Sequence, residues 1–320
     1  MSLVDQESRL AAFNYRALLI GIVAVALVAA PLTNIYLHFL MQCLCFAMFA
    51  CAFNLLVGYG GLLSFGHAMF LGTAGYCCGH ALKVWGFPPE LAVLVGVCAA
   101  TALAVVSGYI AIRRQGIYFS MITLALSQLL FFFYLRAPFT HGEDGIQSIP
   151  RGYLFGIFDL SNSLVLYYAV LGGFFGGFMM IDRIINSPFG EVLKSIRENE
   201  PRAISLGYPS QTYKLLVFVL SGGLAGFAGC LKVLVTQTAS LTDVHWTMSG
   251  EVVLMTLLGG LGTIYGPVVG AFILVSMQQY LAGFGQWIAV IQGGVFMVCV
   301  LAFRRGVVGE IARRFQLNLS

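Results

Sequence analysis

Between Arg16 and Lys83 the chain runs for 66 residues without a single Asp, Glu, Lys or Arg. Charged side chains are expensive in a bilayer core, whereas a water-soluble domain needs about a quarter of its residues charged to cover its surface. A run of this length therefore reads as chain crossing hydrocarbon, and at about 20 residues per crossing it holds three spans. The whole sequence agrees, with 59% hydrophobic and only 9% charged residues. This excludes a soluble enzyme and predicts an all-α polytopic membrane protein.

The other charge-free gaps extend the count. Glu90–Arg113, Arg114–Arg136, Asp159–Asp182 and Lys214–Lys232 each bracket one span, and the 52 uncharged positions from Glu251 to Arg304 hold two spans and a shorter element. The total is about ten transmembrane or re-entrant helices, with eight full spans and two partial elements as the lower alternative. Basic residues gather before Arg16, at Arg113–Arg114, from Arg183 to Lys214 and beyond Arg304. The positive-inside rule puts these regions, and both termini, in the cytoplasm. The expected layout is a cytoplasmic segment 1–16, a membrane domain 17–303 and a cytoplasmic tail 304–320. Within the membrane domain, halves 17–135 and 161–303 flank an external loop 136–160, and 183–213 forms a long cytoplasmic loop. Five elements on each side of the external loop imply two inverted-topology halves.

The stretch Gly58–Gly72, GYGGLLSFGHAMFLG, concentrates helix-weakening residues inside an apolar run. Opened backbone in a membrane is tolerated only where protein or a water-filled cavity covers it. Gly58, Gly60 and Gly61 are expected to mark a break between two elements, with Ser64 capping the following helix and His67 on the same helical side as Ser64. This break either lines a solute path or merely permits close packing. Gly259 and Gly260 begin a similar stretch, GGLGTIYGPVVGA. Thr123 and Ser127, four residues apart, share a helix face and serve either interhelical bonding or a path. The eight cysteines lie in apolar runs with no C-x-x-C spacing, as packing residues do. No metal site and no cofactor are expected. Val28-Ala29-Ala30 imitates a signal cleavage site, but the apolar run that follows Arg16 is too long for a cleavable signal, so an uncleaved first span is expected.

The most informative polar stretch is INSPFGEVLKSIRENEPRAISLGY. Ser187-Pro188 supplies a cap and a first-turn proline for one helix. Pro201 opens a second short helix that Gly207 closes. A short helix at the cytoplasmic face between two spans has the form of a docking element for another protein, or of an amphipathic loop resting on lipid.

Six blocks, NLLVGYGGLLSFGHAMFLG, YFSMITLALSQLLFF, THGEDGIQSIPRG, SPFGEVLKSIRENEPRAISLGY, YKLLVFVLSGGLAGFAGCL and SGEVVLMTLLGGLGTIYGPVVGA, resemble the inner-membrane permease subunit of branched-chain amino-acid ABC transporters. The resemblance runs in unbroken order from about Gln42 to Arg304. It implies a bacterial inner-membrane protein working with a second related permease subunit, two cytoplasmic ATP-binding subunits and a periplasmic substrate-binding protein. Membrane lipid is its surroundings, and nucleic acid has no role. Carried over residue by residue, Glu198, Asn199, Glu200, Ala203 and Gly207 match the ATPase-coupling loop, although Pro201 departs from the E-A-A…G pattern of other ABC permeases. Gly142, Glu143, Asp144 and Gly145 match the external segment placed beneath the binding protein. The residues expected along the path are Gly60, Gly61, Ser64, His67, Thr123, Ser127, Gly259 and Gly260. The family also includes members that move urea, amides and other small solutes.

The residues agree independently. The chain has no G-x-x-x-x-G-K-[ST] loop to cradle ATP phosphates, so any ATP hydrolysis belongs to partner chains. A stand-alone channel shares the glycine breaks but leaves the basic loop 183–214 without a purpose. A membrane protease built on Ser64 lacks a Gly-x-Ser-Gly-like turn, and with His67 a poor partner on the same helix, His38 or His80 would have to reach Ser64 as its base.

Overall fold

The computed structural model describes residues 27–33, 36–302 and 306–314. Among them are α1 (Leu37–Asn54), α2 (Ala68–Lys83), α3 (Pro89–Ala111), α4 (Ile117–Arg136), α5 (Ser163–Ile185), α6 (Pro188–Glu198), α7 (Glu200–Ser205), α8 (Ser210–Thr236), α9 (Trp246–Gly259), α10 (Gly266–Leu281), α11 (Ile288–Ala302) and α12 (Gly306–Arg314). A two-stranded hairpin, β1 (Tyr153–Leu154) with β2 (Phe158–Asp159), decorates one end.

Local signals set these boundaries. Pro89 sits in the first turn of α3 and Pro188 in that of α6, where a missing N–H costs nothing. Ser187 and Asn162 cap α6 and α5 by accepting the amides of Gly190 and Leu164. Asn199 caps α7 in the same way, its side chain accepting the Arg202 amide at 3.1 Å.

Six helices among the described residues are long and apolar enough to cross a membrane: Leu37–Tyr59, Pro89–Ala111, Ile117–Arg136, Ser163–Ile185, Ser210–Thr236 and Gly266–Gly285. The chain is thus a multi-pass helical membrane protein. The helices α2, α9 and α11 span 16, 14 and 15 residues, and of these α2 and α9 border the glycine breaks. The first expected span lies largely outside the described residues.

The segments on either side of 136–160 share one core. α8 packs against both α2 and α3, and α1 packs against α5, α8, α9 and α10. α1 is apolar all round and has 89% of its spanning window buried, whereas the Gly266–Gly285 window is 22% buried and α4 28%. Helices without a polar face belong inside a bundle, and α1 occupies that place. The outward faces of α4 and of α10–α11 carry exposed Met121, Phe132, Tyr280 and Met297.

The bundle has two chemically distinct ends. One gathers the hairpin, the 142–159 segment and the α8–α9 turn, joined by a bridge between Ile146 and Ala239. Arg151 completes this join by donating to the carbonyls of Leu234 and Val235 at 3.0 and 2.9 Å, which are among the last acceptors of α8 that no helical amide can reach. The opposite end gathers Arg113, α6, α7 and both glycine breaks.

Candidate functional site

α1 does not stop cleanly. Its last turn widens into π-type helix over Leu55–Tyr59, and the chain then leaves helical geometry until Ala68. The second break, between Gly259 and Gly266, separates α9 from α10. The two breaks meet. The buried Asn54 donates from Nδ2 to the Thr263 carbonyl at 2.9 Å, and its Oδ1 accepts the Gly262 amide at 3.0 Å. Both functions of one amide side chain are spent on joining segments 208 and 209 positions away. Gly58 permits the approach, because a Cβ there would stand 2.4 Å from Asn54 Oδ1 and 2.8 Å from the Gly262 nitrogen. Both breaks lie at the same end, each between a helix arriving and a helix leaving. As a pair they have like orientation, so their similar sequences carry no inverted repeat.

The expected cap is corrected. The helix starts at Ala68, so neither Ser64 nor His67 lies on it, and Ser64 Oγ only accepts the amide of Gly66 at 3.3 Å within a local turn. The orphan Ala68 amide donates instead to Ser249 Oγ of α9 at 2.9 Å. A distant serine thus does the capping, since the tight turn through Gly66 keeps Ser64 occupied.

His67 is fully buried among Phe49, Phe53 and Phe70, with ring centroids 6.1, 5.3 and 5.3 Å away. Ser221 Oγ donates its one hydrogen to the Ala52 carbonyl. It therefore accepts from His67 Nε2–H, 2.9 Å away. The ring reaches a carbonyl through a serine, and its Nδ1 has no hydrogen-bond partner among the described residues.

Thr123 and Ser127 are also fully buried and do share a face. Thr123 Oγ1 accepts the Phe65 amide at 3.3 Å and donates to the Ser120 carbonyl at 2.9 Å. Ser120 Oγ donates to the Leu63 carbonyl at 2.6 Å, and Ser127 Oγ to that of Val244 at 3.4 Å. The polar face of α4 thereby satisfies the opened backbone of the first break, as the hydrocarbon environment requires. Gly60, Gly259 and Gly260 are buried, while Gly61 is exposed at the surface of the break. Seven of the eight expected path residues are enclosed, and all but Ser127, which bonds the α8–α9 turn, lie at or against the joined breaks.

The coupling residues occupy one module. α6 is strongly amphipathic, with Leu193 and Ile196 buried against the bundle. Asn199 adopts an extended conformation between α6 and α7. Glu200 pairs with Lys214 of α8 at 2.6 Å, with both side chains mostly buried. It therefore fastens α7 to the bundle. Ala203 is buried, and Gly207 closes α7 with φ +90°, a backbone conformation that L side chains rarely adopt. Exposed Ile204, Leu206 and Tyr208 form an apolar knob around this turn, which sequence reasoning missed. At the other end, Gly142 and Gly145 have φ +62° and +66°, and Glu143 and Asp144 between them are exposed.

Sequence reasoning also missed Asn54, Ser249, Ser221 and a charged group. Lys232, read only as the limit of a span, and Asp243, not singled out at all, form an ion pair, with the Lys232 ammonium 5.3 Å from the Phe46 ring centroid. Nearby Glu251 accepts from Gln278 Nε2 at 3.0 Å. The helical interior is thus less free of charge than its apolar runs suggest.

Comparison with known proteins adds an independent line. The family described as branched-chain amino acid transport system / permease component matches residues 35–301. The high-affinity branched-chain amino acid transport system permease protein LivM of Escherichia coli is 25% identical, the match covering 78% of this chain and 64% of that protein. The chain thus spans just under two thirds of that relative's length. The L-arabinose ABC transporter permease protein AraH of Azospirillum brasilense is 27% identical over 66% of this chain and 63% of its own. The ribose import permease protein RbsC of Bacillus subtilis is 24% identical over 78% and 82%. No solved structure matches. A family profile spanning five sixths of a chain with this multi-helix build leaves one assignment: the protein belongs to the branched-chain amino acid transport system permease family.

Proposed function

We propose that the chain is the permease subunit of an ABC importer for branched-chain or other hydrophobic amino acids. With a second related permease it forms the translocation path. A periplasmic binding protein delivers the solute, and two separate ATP-binding subunits supply the energy. The chain sits in the bacterial inner membrane with both termini and α6–α7 in the cytoplasm, its about ten elements arranged as two inverted halves.

The observation that carries this reading is the α6–α7 module. It presents the apolar knob Ile204, Leu206 and Tyr208 to solvent while its underside is pinned to the bundle. Exposed apolar patches with a polar rim are what protein partners cover. In this role Glu198, Asn199, Ala203 and Gly207 shape the docking face, and Glu200 anchors it. Glu143 and Asp144, held out by Gly142 and Gly145, meet the binding protein. Gly60, Gly61, Ser64, His67, Thr123, Ser127, Gly259 and Gly260 come to line the path when the joined breaks move together. Exposed carbonyls and helix ends there suit a zwitterion.

The test is nucleotide hydrolysis by the reconstituted complex, stimulated in turn by binding protein loaded with leucine, urea, arabinose or ribose. Stimulation by leucine is expected. Stimulation by a sugar alone would move the assignment toward the relatives named for arabinose and ribose, and by urea alone toward amide transport. Gly207→Pro, which cannot adopt φ +90° and loses the amide bonded to the Ile204 carbonyl, is expected to leave the complex assembled yet uncouple hydrolysis from uptake. Unchanged uptake in that variant removes the coupling assignment.

A further inference from the structure

One side chain of the cytoplasmic module bonds the end of α1 at the first glycine break and lies beside the second. Arg197 stands in the last turn of α6 and is solvent-exposed overall, yet its Nη1 donates to the Gly58 carbonyl. The amides of Gly60, Gly61 and Leu62 bond to the carbonyls of Leu55, Val57 and Leu56. The Gly58 oxygen, left over by this widened helix end, is the one the guanidinium takes. A cation at a helix C-terminus also complements the dipole there.

Arg197 is more than a cap for α1. Its Nη1 lies 3.4 Å from where a Cβ of Gly262 would stand, and its Cγ 3.1 Å from the corresponding point of Gly61. One turn earlier, the Lys194 ammonium lies 6.0 Å from the centroid of the Tyr59 ring. Asn54 holds the same two breaks together from within the bundle. α6 is therefore attached to the breaks through Arg197, while α7, beyond the extended residue Asn199, is attached to α8 through Glu200 and Lys214. Two short helices joined by one extended residue hold two different parts of the bundle.

We propose that Arg197 is the positioning residue through which a displacement of α6 reaches both glycine breaks, so that the two breaks move with α6 as one unit. The guanidinium suits this, since its planar fork holds several contacts in fixed geometry where an ammonium holds none so rigidly. The inference rests on the reading that partner ATPases move α6–α7.

The experiment compares wild type, Arg197→Ala and Arg197→Lys in the assembled complex, reading solute uptake and nucleotide hydrolysis side by side. For Arg197→Ala, uptake is expected to fall about tenfold while hydrolysis stays within about twofold, with Arg197→Lys intermediate. Uptake within twofold of wild type, or equal loss of uptake and hydrolysis in an assembled complex, overturns the proposal. If Arg197→Ala does not assemble, the wild-type chain decides. Spin labels at the exposed Ser195 and Leu261 are expected to keep their separation between nucleotide-free and nucleotide-trapped states, while both shift relative to a label at exposed Ile110. A changed Ser195–Leu261 separation overturns the proposal. Absence of nucleotide-driven uptake in wild type overturns the transport reading and this inference together, whereas a coupled wild type with an indifferent Arg197→Ala overturns the inference alone.

Discussion

The two glycine breaks look alike in sequence and are held in different ways. The first, Gly60–His67, is satisfied by helices far away in the chain: α4 through Ser120 and Thr123, and α9 through Ser249. The second is closed largely from within, apart from the Gly262 amide and Thr263 carbonyl that Asn54 takes. Thr263 Oγ1 donates to the Gly260 carbonyl at 2.8 Å and accepts the Gly266 amide at 3.1 Å, so one residue closes the turn and caps α10. A break fixed by distant side chains can loosen only if whole helices shift. A self-closed break travels with its own two helices. The contrast makes the first break the member tied to distant helices and the second the self-closed one, with Asn54 and Arg197 as the links through which they move together.

The contrast breaks most severely at Gly66. A Cβ there would stand 2.2 Å from the Thr123 backbone oxygen, and no flexible side chain is present to yield. Gly66→Val is expected to destabilise the protein by about 3 kcal/mol or more, the upper range for overpacking, read as a large fall in the thermal midpoint in detergent. Near-wild-type melting would mean that the first break is not rigid.

Asn54→Ala comes next. It leaves the Thr263 carbonyl and the Gly262 amide without their partner, at roughly 2–3 kcal/mol. Transport should suffer more than stability, since the breaks are no longer joined; equal melting and uptake to wild type would remove Asn54 as a link. Ser249→Ala strips the cap from α2, for about 1 kcal/mol, and hydrogen exchange should quicken at the Ala68–Phe70 amides while the Gly266 region stays unchanged. Faster exchange at Gly266 would erase the distinction between the two breaks. Ser64→Ala is expected to be the mildest, about 0.5 kcal/mol or less, because Ser64 serves only a turn amide at 3.3 Å. Full uptake in this variant would also dismiss Ser64 from the path.

Much of the fold was legible in the sequence because charge is so costly in lipid. Gaps between charged residues located α3, α4 and α5 to within about a turn of helix, and Ser187, Pro188 and Gly207 marked the limits of α6 and α7 through local capping chemistry. The glycines at 58, 60 and 61 correctly announced an interrupted helix. The bonds that close that interruption were not legible. Asn54, Ser249 and Ser221 act on residues 209, 181 and 154 positions away, and no local pattern reports such a partner. The sequence favoured Ser64 as a cap because it precedes a helix, and only the three-dimensional path shows Ser249 arriving first. The buried charged group was not legible for a similar reason. Lys232, Asp243 and Glu251 sit near the limits of spans in the sequence, and tertiary packing draws them inward.

The central claim is that this chain is a passive conduit moved by partner ATPases through α6–α7. It is tested most directly by uptake of labelled leucine into vesicles holding the permease pair, with and without the ATP-binding subunits and binding protein. Uptake that requires ATP and all of these partners is the predicted result. Leucine concentrated by the permeases alone, or nucleotide hydrolysed by the isolated chain, would contradict the account.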